Sequence, residues 1–128
     1  MKSRGVRMAK ILLVDDDEFT CRLIKEILED DGHSLIIAND GKAGIEALRN
    51  NAGIDLVIMD IVMPVMNGFE AVKLIRADPA ISQVPILAVT IRDTSGDYED
   101  IYAAGCDAFV AKPVEADRLL DRVNSLLT

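Results

Sequence analysis

Along the chain, short apolar runs alternate with longer amphipathic segments. Five runs stand out: Lys10–Val14, Ser34–Ala38, Asp55–Met59, Pro85–Thr90 and Ala108–Ala111. Their Ile, Leu and Val residues follow one another almost without alternation, the mark of strands covered on both faces by helices. Between the runs, apolar residues fall three and four apart. Glu18–Asp30 places Leu23, Ile24, Ile27 and Leu28 on one face, and Lys42–Asn50 does the same with Ile45 and Leu48. Gly68–Ala77 and Val114–Leu127 repeat the pattern, while Asp97–Ala104 has the fewest apolar anchors. Asp31-Gly32, Asp40-Gly41, Asn67-Gly68 and Gly105 supply turn chemistry at the joints. Strands alternating with helices at this spacing argue βαβ units. The expected architecture is α/β, a doubly wound five-stranded parallel sheet with helices on both faces.

Composition narrows the class. A length of 128 residues suits one domain with a layered core. The apolar runs are too short to span a membrane, and the basic start Met1–Ala9 has no apolar stretch behind it, so no secretory signal is expected. Residues 1–8 are read as an N-terminal extension, with Met8 an alternative start, ahead of a domain spanning 9–128. The formal charge of −8 argues against direct nucleic-acid binding, which needs clustered Lys and Arg. Cys21 and Cys106 lack metal-ligand spacing and read as buried, reduced thiols of a cytoplasmic protein.

In a doubly wound sheet, ligands bind beyond the carboxyl ends of the strands. Here the first strand ends in Asp15-Asp16-Asp17, the third in Asp60, the fourth in Thr90, and the fifth runs into Lys112. Helix capping accounts for Asp17 and is one reading of Thr90. It explains Asp60 poorly, and Lys112 not at all, because a cation is badly placed ahead of a helix N-terminus. Carboxylates gathered at one edge repel each other unless a cation intervenes, and Mg²⁺ suits such a set. With Lys and Thr donors beside it, the edge is suited to phosphoryl transfer, with Asp60 as nucleophile and Asp15 and Asp16 holding the metal.

The chain resembles a response-regulator receiver domain of two-component signalling from about Ala9 onward. Ile11-Leu12-Leu13-Val14-Asp15-Asp16-Asp17, Asp60-Ile61-Val62-Met63-Pro64 with Asn67-Gly68, Val89-Thr90 and Lys112-Pro113 carry the likeness. It implies the flavodoxin-like strand order 2-1-3-4-5 and a phosphoacceptor at Asp60. Asp15, Asp16, Asp60 and the Val62 carbonyl would hold Mg²⁺ or Mn²⁺. Thr90 and Lys112 would contact the phosphoryl oxygens, and Lys112-Pro113 is a candidate cis peptide. Thr90 and Phe109 would form the switch, altering a surface made by the fourth helix, fifth strand and fifth helix. The implied donor is a histidine kinase or histidine phosphotransfer protein. The implied state is a monomer, with phosphorylation-dependent dimerisation as the alternative.

Several residues depart from the usual pattern. Ile91 follows Thr90 where a small residue is common, and should narrow access to the phosphoryl site. Val62 cannot orient an attacking water, and Arg92 is placed either to cover the phosphoryl group or to face solvent. Together they predict a long-lived phosphorylated state. Phe109 lacks the hydroxyl of a Tyr. His33, far from the acidic edge, is read as a turn residue. Two other readings are weaker. A haloacid-dehalogenase-type phosphatase needs a second Asp where Val62 stands, and a phosphate-free pseudo-receiver has usually lost an acidic residue or the Lys. A flavodoxin-type carrier needs a Ser/Thr-rich loop after the first strand, which is missing. A chain stopping just past the fifth helix leaves no room for an output module, so it reads as a stand-alone messenger or as part of a longer regulator or hybrid kinase.

Overall fold

Among the described residues, five strands alternate with five helices. They are β1 (Lys10–Val14), α1 (Glu18–Asp30), β2 (Ser34–Ala38), α2 (Gly41–Asn50), β3 (Leu56–Asp60), α3 (Gly68–Ala77), β4 (Ile86–Ile91), α4 (Ser95–Ala104), β5 (Ala108–Lys112) and α5 (Ala116–Leu127). The computed structural model describes residues 8–63, 66–91 and 95–128, with backbone alone at 95–97. The expected contributions of Arg92 and Pro64, and most of the 1–8 extension, lie outside the described residues.

All strand pairs are parallel, in the order β2-β1-β3-β4-β5, the flavodoxin-like order that the resemblance implied. Alternation along each strand sends side chains to two separate cores. Leu12, Val14, Val57, Met59, Ile86 and Ala88 meet Ile45, Leu48, Val72, Ile75 and Ile101 of α2, α3 and α4. Ile11, Leu13, Leu56, Ile58, Leu87 and Val89 meet Cys21, Ile24 and Leu28 of α1 and Leu119 and Val123 of α5. Two helices therefore cover one face and three the other.

The unbroken apolar runs mean full burial only for the three central strands. β1, β3 and β4 are buried almost throughout, whereas the edge strands β2 and β5 are half-exposed, with Ile37 open to solvent. An edge strand has a partner on one side only, which periodicity does not reveal. Several boundaries also differ from the sequence reading. β3 runs one residue later than expected and includes Asp60, because Asp60 pairs in register with Val89. β4 and β5 extend to Ile91 and Lys112, which pair with each other. α5 starts at Ala116 rather than Val114: after the cis Lys112–Pro113 peptide the backbone is extended at Glu115, the N-cap residue. α2 starts at Gly41, capped by the Asp40 carboxylate, which accepts the Ala43 N–H at 2.8 Å.

His33 is more than a turn residue. It is buried, and its Nδ1 accepts the Ala9 N–H at 3.0 Å, which ties the start of β1 to the turn before β2. Cys21 and Cys106 are both free and buried, and burial pushes each thiol up to about 11. No helix among the described residues is long and apolar enough to cross a membrane.

Candidate functional site

Three strand ends and one turn build the site. β1 ends at Val14 and delivers Asp15, which is fully buried, followed by exposed Asp16. Asp17 then caps α1, its carboxylate accepting the Thr20 N–H at 3.0 Å, so the capping reading of Asp17 is correct. The Asp17 N–H in turn donates to Asp15 Oδ1 at 2.8 Å and fixes that carboxylate. β3 ends in Asp60, whose Oδ1 accepts the Val62 N–H at 3.3 Å. Lys112, at the end of β5, reaches across to both acids, with Nζ at 3.4 Å from Asp60 Oδ1 and 3.7 Å from Asp15 Oδ2.

Asp15, Asp16 and Asp60 each offer a carboxylate oxygen within 4.8 Å of the others. Burial raises the Asp60 carboxyl to about 7; the neighbouring Asp15 charge adds to the effect and Lys112 opposes it. One ammonium thus leaves the cluster short of positive charge. Asp15 Oδ2 is buried without a hydrogen-bond partner, a costly state for a carboxylate oxygen. The Asp15 oxygen that lacks a hydrogen bond, the three converging carboxylates and their all-oxygen chemistry fit a hard divalent cation such as Mg²⁺.

Thr90 is buried one position beyond Val89, the register partner of Asp60. Its hydroxyl donates weakly to the Ile91 carbonyl at 3.4 Å rather than to a carboxylate. Val62 and Ile91 are exposed, at 66% and 59%. Phe109 stands on β5 opposite Ala88. It packs in the core beneath α4, its ring stacked on Tyr98 at 4.4 Å between centroids and edge-on to Tyr102 at 6.1 Å.

Sequence reasoning missed two features. Gly68 was read as a turn signal, but α3 begins so close to the site that a Cβ there would lie 2.4 Å from the Asp60 carbonyl oxygen and 2.6 Å from Ile61 Cα. The Gly68 N–H donates to the Ile61 carbonyl at 2.8 Å, so the loop after Asp60 folds directly onto this helix start. Support beneath Asp15 was also missed: the Cys21 thiol donates to its carbonyl at 3.4 Å. The Asn67-Gly68 pair was the available signal for the first feature, and nothing in the sequence pointed to the second.

Comparison with known proteins gives a consistent picture. Residues 11–124 match the family model described as the response regulator receiver domain. The polar-differentiation response regulator DivK of Brucella anthropi is 30% identical over 117 residues, covering 91% of this chain and 94% of that protein. The structure of the Vibrio cholerae chemotaxis protein CheY4 superposes with a TM-score of 0.87 at 30% identity, covering 94% of this chain and all of that one. A receiver domain of the sensor histidine kinase PA1611 from Pseudomonas aeruginosa, solved with a magnesium ion coordinated in its active-site cleft, has a TM-score of 0.82 at 30% identity. The match covers 94% of this chain and 98% of that one.

Proposed function

Because the chain belongs to the response regulator receiver domain family of two-component signalling, we propose that Asp60 is its phosphoacceptor and that the domain is a switch rather than a turnover enzyme. The observation that carries this reading is the buried Asp15–Asp60 pair with Lys112 Nζ within 4 Å of both. An Asp60 oxygen attacks the phosphorus of a phosphohistidine on a histidine kinase or phosphotransfer protein. The P–N bond breaks, and its electron pair leaves with the imidazole. Lys112 holds one phosphoryl oxygen and Thr90 donates its hydroxyl to another. Asp15, Asp16, Asp60 and the Val62 carbonyl would hold Mg²⁺ or Mn²⁺, which when bound offsets the negative charge of the carboxylates and of the incoming group.

Phosphorylation adds roughly −1.5 to −2 charges and three acceptor oxygens. Thr90 then moves toward the phosphoryl group, and the Phe109 ring turns into the space it leaves. Thr90 and Phe109 project from neighbouring strands toward the same helix layer, since Thr90 pairs with Ala111 and Phe109 with Ala88. The resulting change at α4, β5 and α5 is the output read by a downstream protein. We assign the domain to residues 9–128, working in the cytoplasm as a monomer, with pairing on phosphorylation as the alternative.

Incubation with acetyl phosphate and Mg²⁺ should add one phosphoryl group by intact mass, and Asp60→Ala should add none. Equal uptake by the variant would refute the assignment. Exposed Ile91 and Val62 flank the mouth of the site without a group that activates water, so the phosphorylated state should be long-lived. Ile91→Ala is expected to take phosphate from acetyl phosphate several-fold faster and to lose it faster. Rates no higher than wild type would contradict the shielding role.

A further inference from the structure

The stack of Tyr98 on Phe109 is a contact between α4 and β5 that the transfer chemistry does not use. Resting on the assignment of Phe109 as the switching ring, we propose that Tyr98 is a positioning residue that holds Phe109 in its resting place. Release of this stack is then part of what phosphorylation must accomplish. Three observations converge. The rings lie 4.4 Å apart and only 20° from parallel, and Tyr102 closes the other side edge-on at 6.1 Å. Phe109 sits opposite Ala88, so the facing position on β4 presents only a small side chain to the ring. Tyr98 and Phe109 both line an open groove of about 410 Å³ between α4, β5 and α5, so open space rather than packed side chains bounds the stack on that side.

Turning Phe109 toward Thr90 separates it from Tyr98 and uncouples α4 from β5 at this point. An aromatic pair of this kind biases a two-state equilibrium by roughly 2- to 10-fold. Coupling is reciprocal, so a restraint on the ring also opposes phosphorylation to the same degree. Tyr98→Leu keeps apolar bulk and removes the stack, while Tyr98→Phe keeps the ring and removes only the hydroxyl.

The test is NMR of the Phe109 ring in the full chain, first without any phosphoryl donor. Tyr98→Leu should show, without donor, the nuclear Overhauser contacts between the Phe109 ring and Thr90 that appear in the phosphorylated protein, and Tyr98→Phe should show only the contacts of the resting wild type. No gain of Phe109–Thr90 contacts in Tyr98→Leu overturns the proposal. In a second arm, acetyl phosphate and Mg²⁺ are titrated with intact mass followed in parallel. Half-maximal phosphorylation of Tyr98→Leu should need roughly 2- to 10-fold less donor than wild type. Uptake of phosphate with no movement of Phe109 in wild type overturns the stack's role while leaving the phosphoacceptor reading intact. No uptake at all overturns both.

Discussion

Asp15→Asn is expected to weaken Mg²⁺ binding and to stabilise the metal-free domain at the same time. Asp15 is fully buried, one of its oxygens has no hydrogen-bond partner, and its charge faces Asp60 across the site. Removing the charge relieves that repulsion and removes a proposed ligand, so two observables should move in opposite directions. Mg²⁺ affinity should fall on the order of 100-fold, the upper end of what the loss of a partner around a metal costs. The metal-free protein should gain on the order of 1 kcal/mol, since one ammonium does not balance two buried like charges. Titration calorimetry and chemical denaturation in EDTA read the two effects. A variant that binds Mg²⁺ as wild type does would mean that Asp15 is not part of the metal set.

The same electrostatics fixes a pH dependence. The folded Asp60 carboxyl sits at about 7, above its ordinary value of 3.8. Folding therefore favours its protonated form: the stabilisation is complete below about pH 4 and is lost as pH rises through about 7. In EDTA, the wild type should lose on the order of 2 kcal/mol between about pH 5 and pH 8 relative to Asp60→Asn, which has no carboxylate to bury.

Gly68→Ala should have the larger structural effect. A Cβ at 2.4 Å from the Asp60 carbonyl oxygen meets backbone, which cannot swing aside as a side chain can. Either the start of α3 or the Asp60–Ile61 segment must shift, at a cost of about 2–4 kcal/mol. The shift also displaces Asp60, the proposed acceptor. Phosphoryl uptake should slow more than about 10-fold even under conditions where the variant is fully folded, because small misplacements at a reacting centre are costly. Gly44→Ala is the control, since the atoms nearest to its Cβ would belong to the Val14 side chain, the closest at 2.7 Å. It should lose stability while phosphorylating at close to the wild-type rate. Equal rates for Gly68→Ala and wild type would contradict the close-packing account.

Much of the site was legible because a parallel sheet carries the ends of its strands to one edge. Once the runs ending in Asp15, Asp60 and Thr90 and the run into Lys112 were read as parallel strands, their end residues had to converge. The position of Asp60 inside β3 was less legible, since it depends on the register with Val89. Exposure of β2 and β5 was hidden, because an apolar run looks alike at the centre and the edge of a sheet. Gly68 and Tyr98 were hidden for a related reason. Their roles lie in close approaches between successive elements, Gly68 against the end of β3 and Tyr98 against β5, and such approaches leave no periodic trace. The burial of His33 against Ala9 is a third case, an isolated polar residue whose partner is a backbone N–H more than twenty positions away.

The most direct test of the central claim is chemical mapping of the acceptor. After reaction with acetyl phosphate and Mg²⁺, borohydride reduces an acyl phosphate to the alcohol, so a phosphorylated aspartate becomes homoserine in the peptide map. Reduction confined to position 60, and absent when Mg²⁺ is removed by EDTA, is the result predicted here. Reduction at Asp15 or Asp16, or an intact Asp60 in protein that has gained the phosphoryl mass, would contradict it.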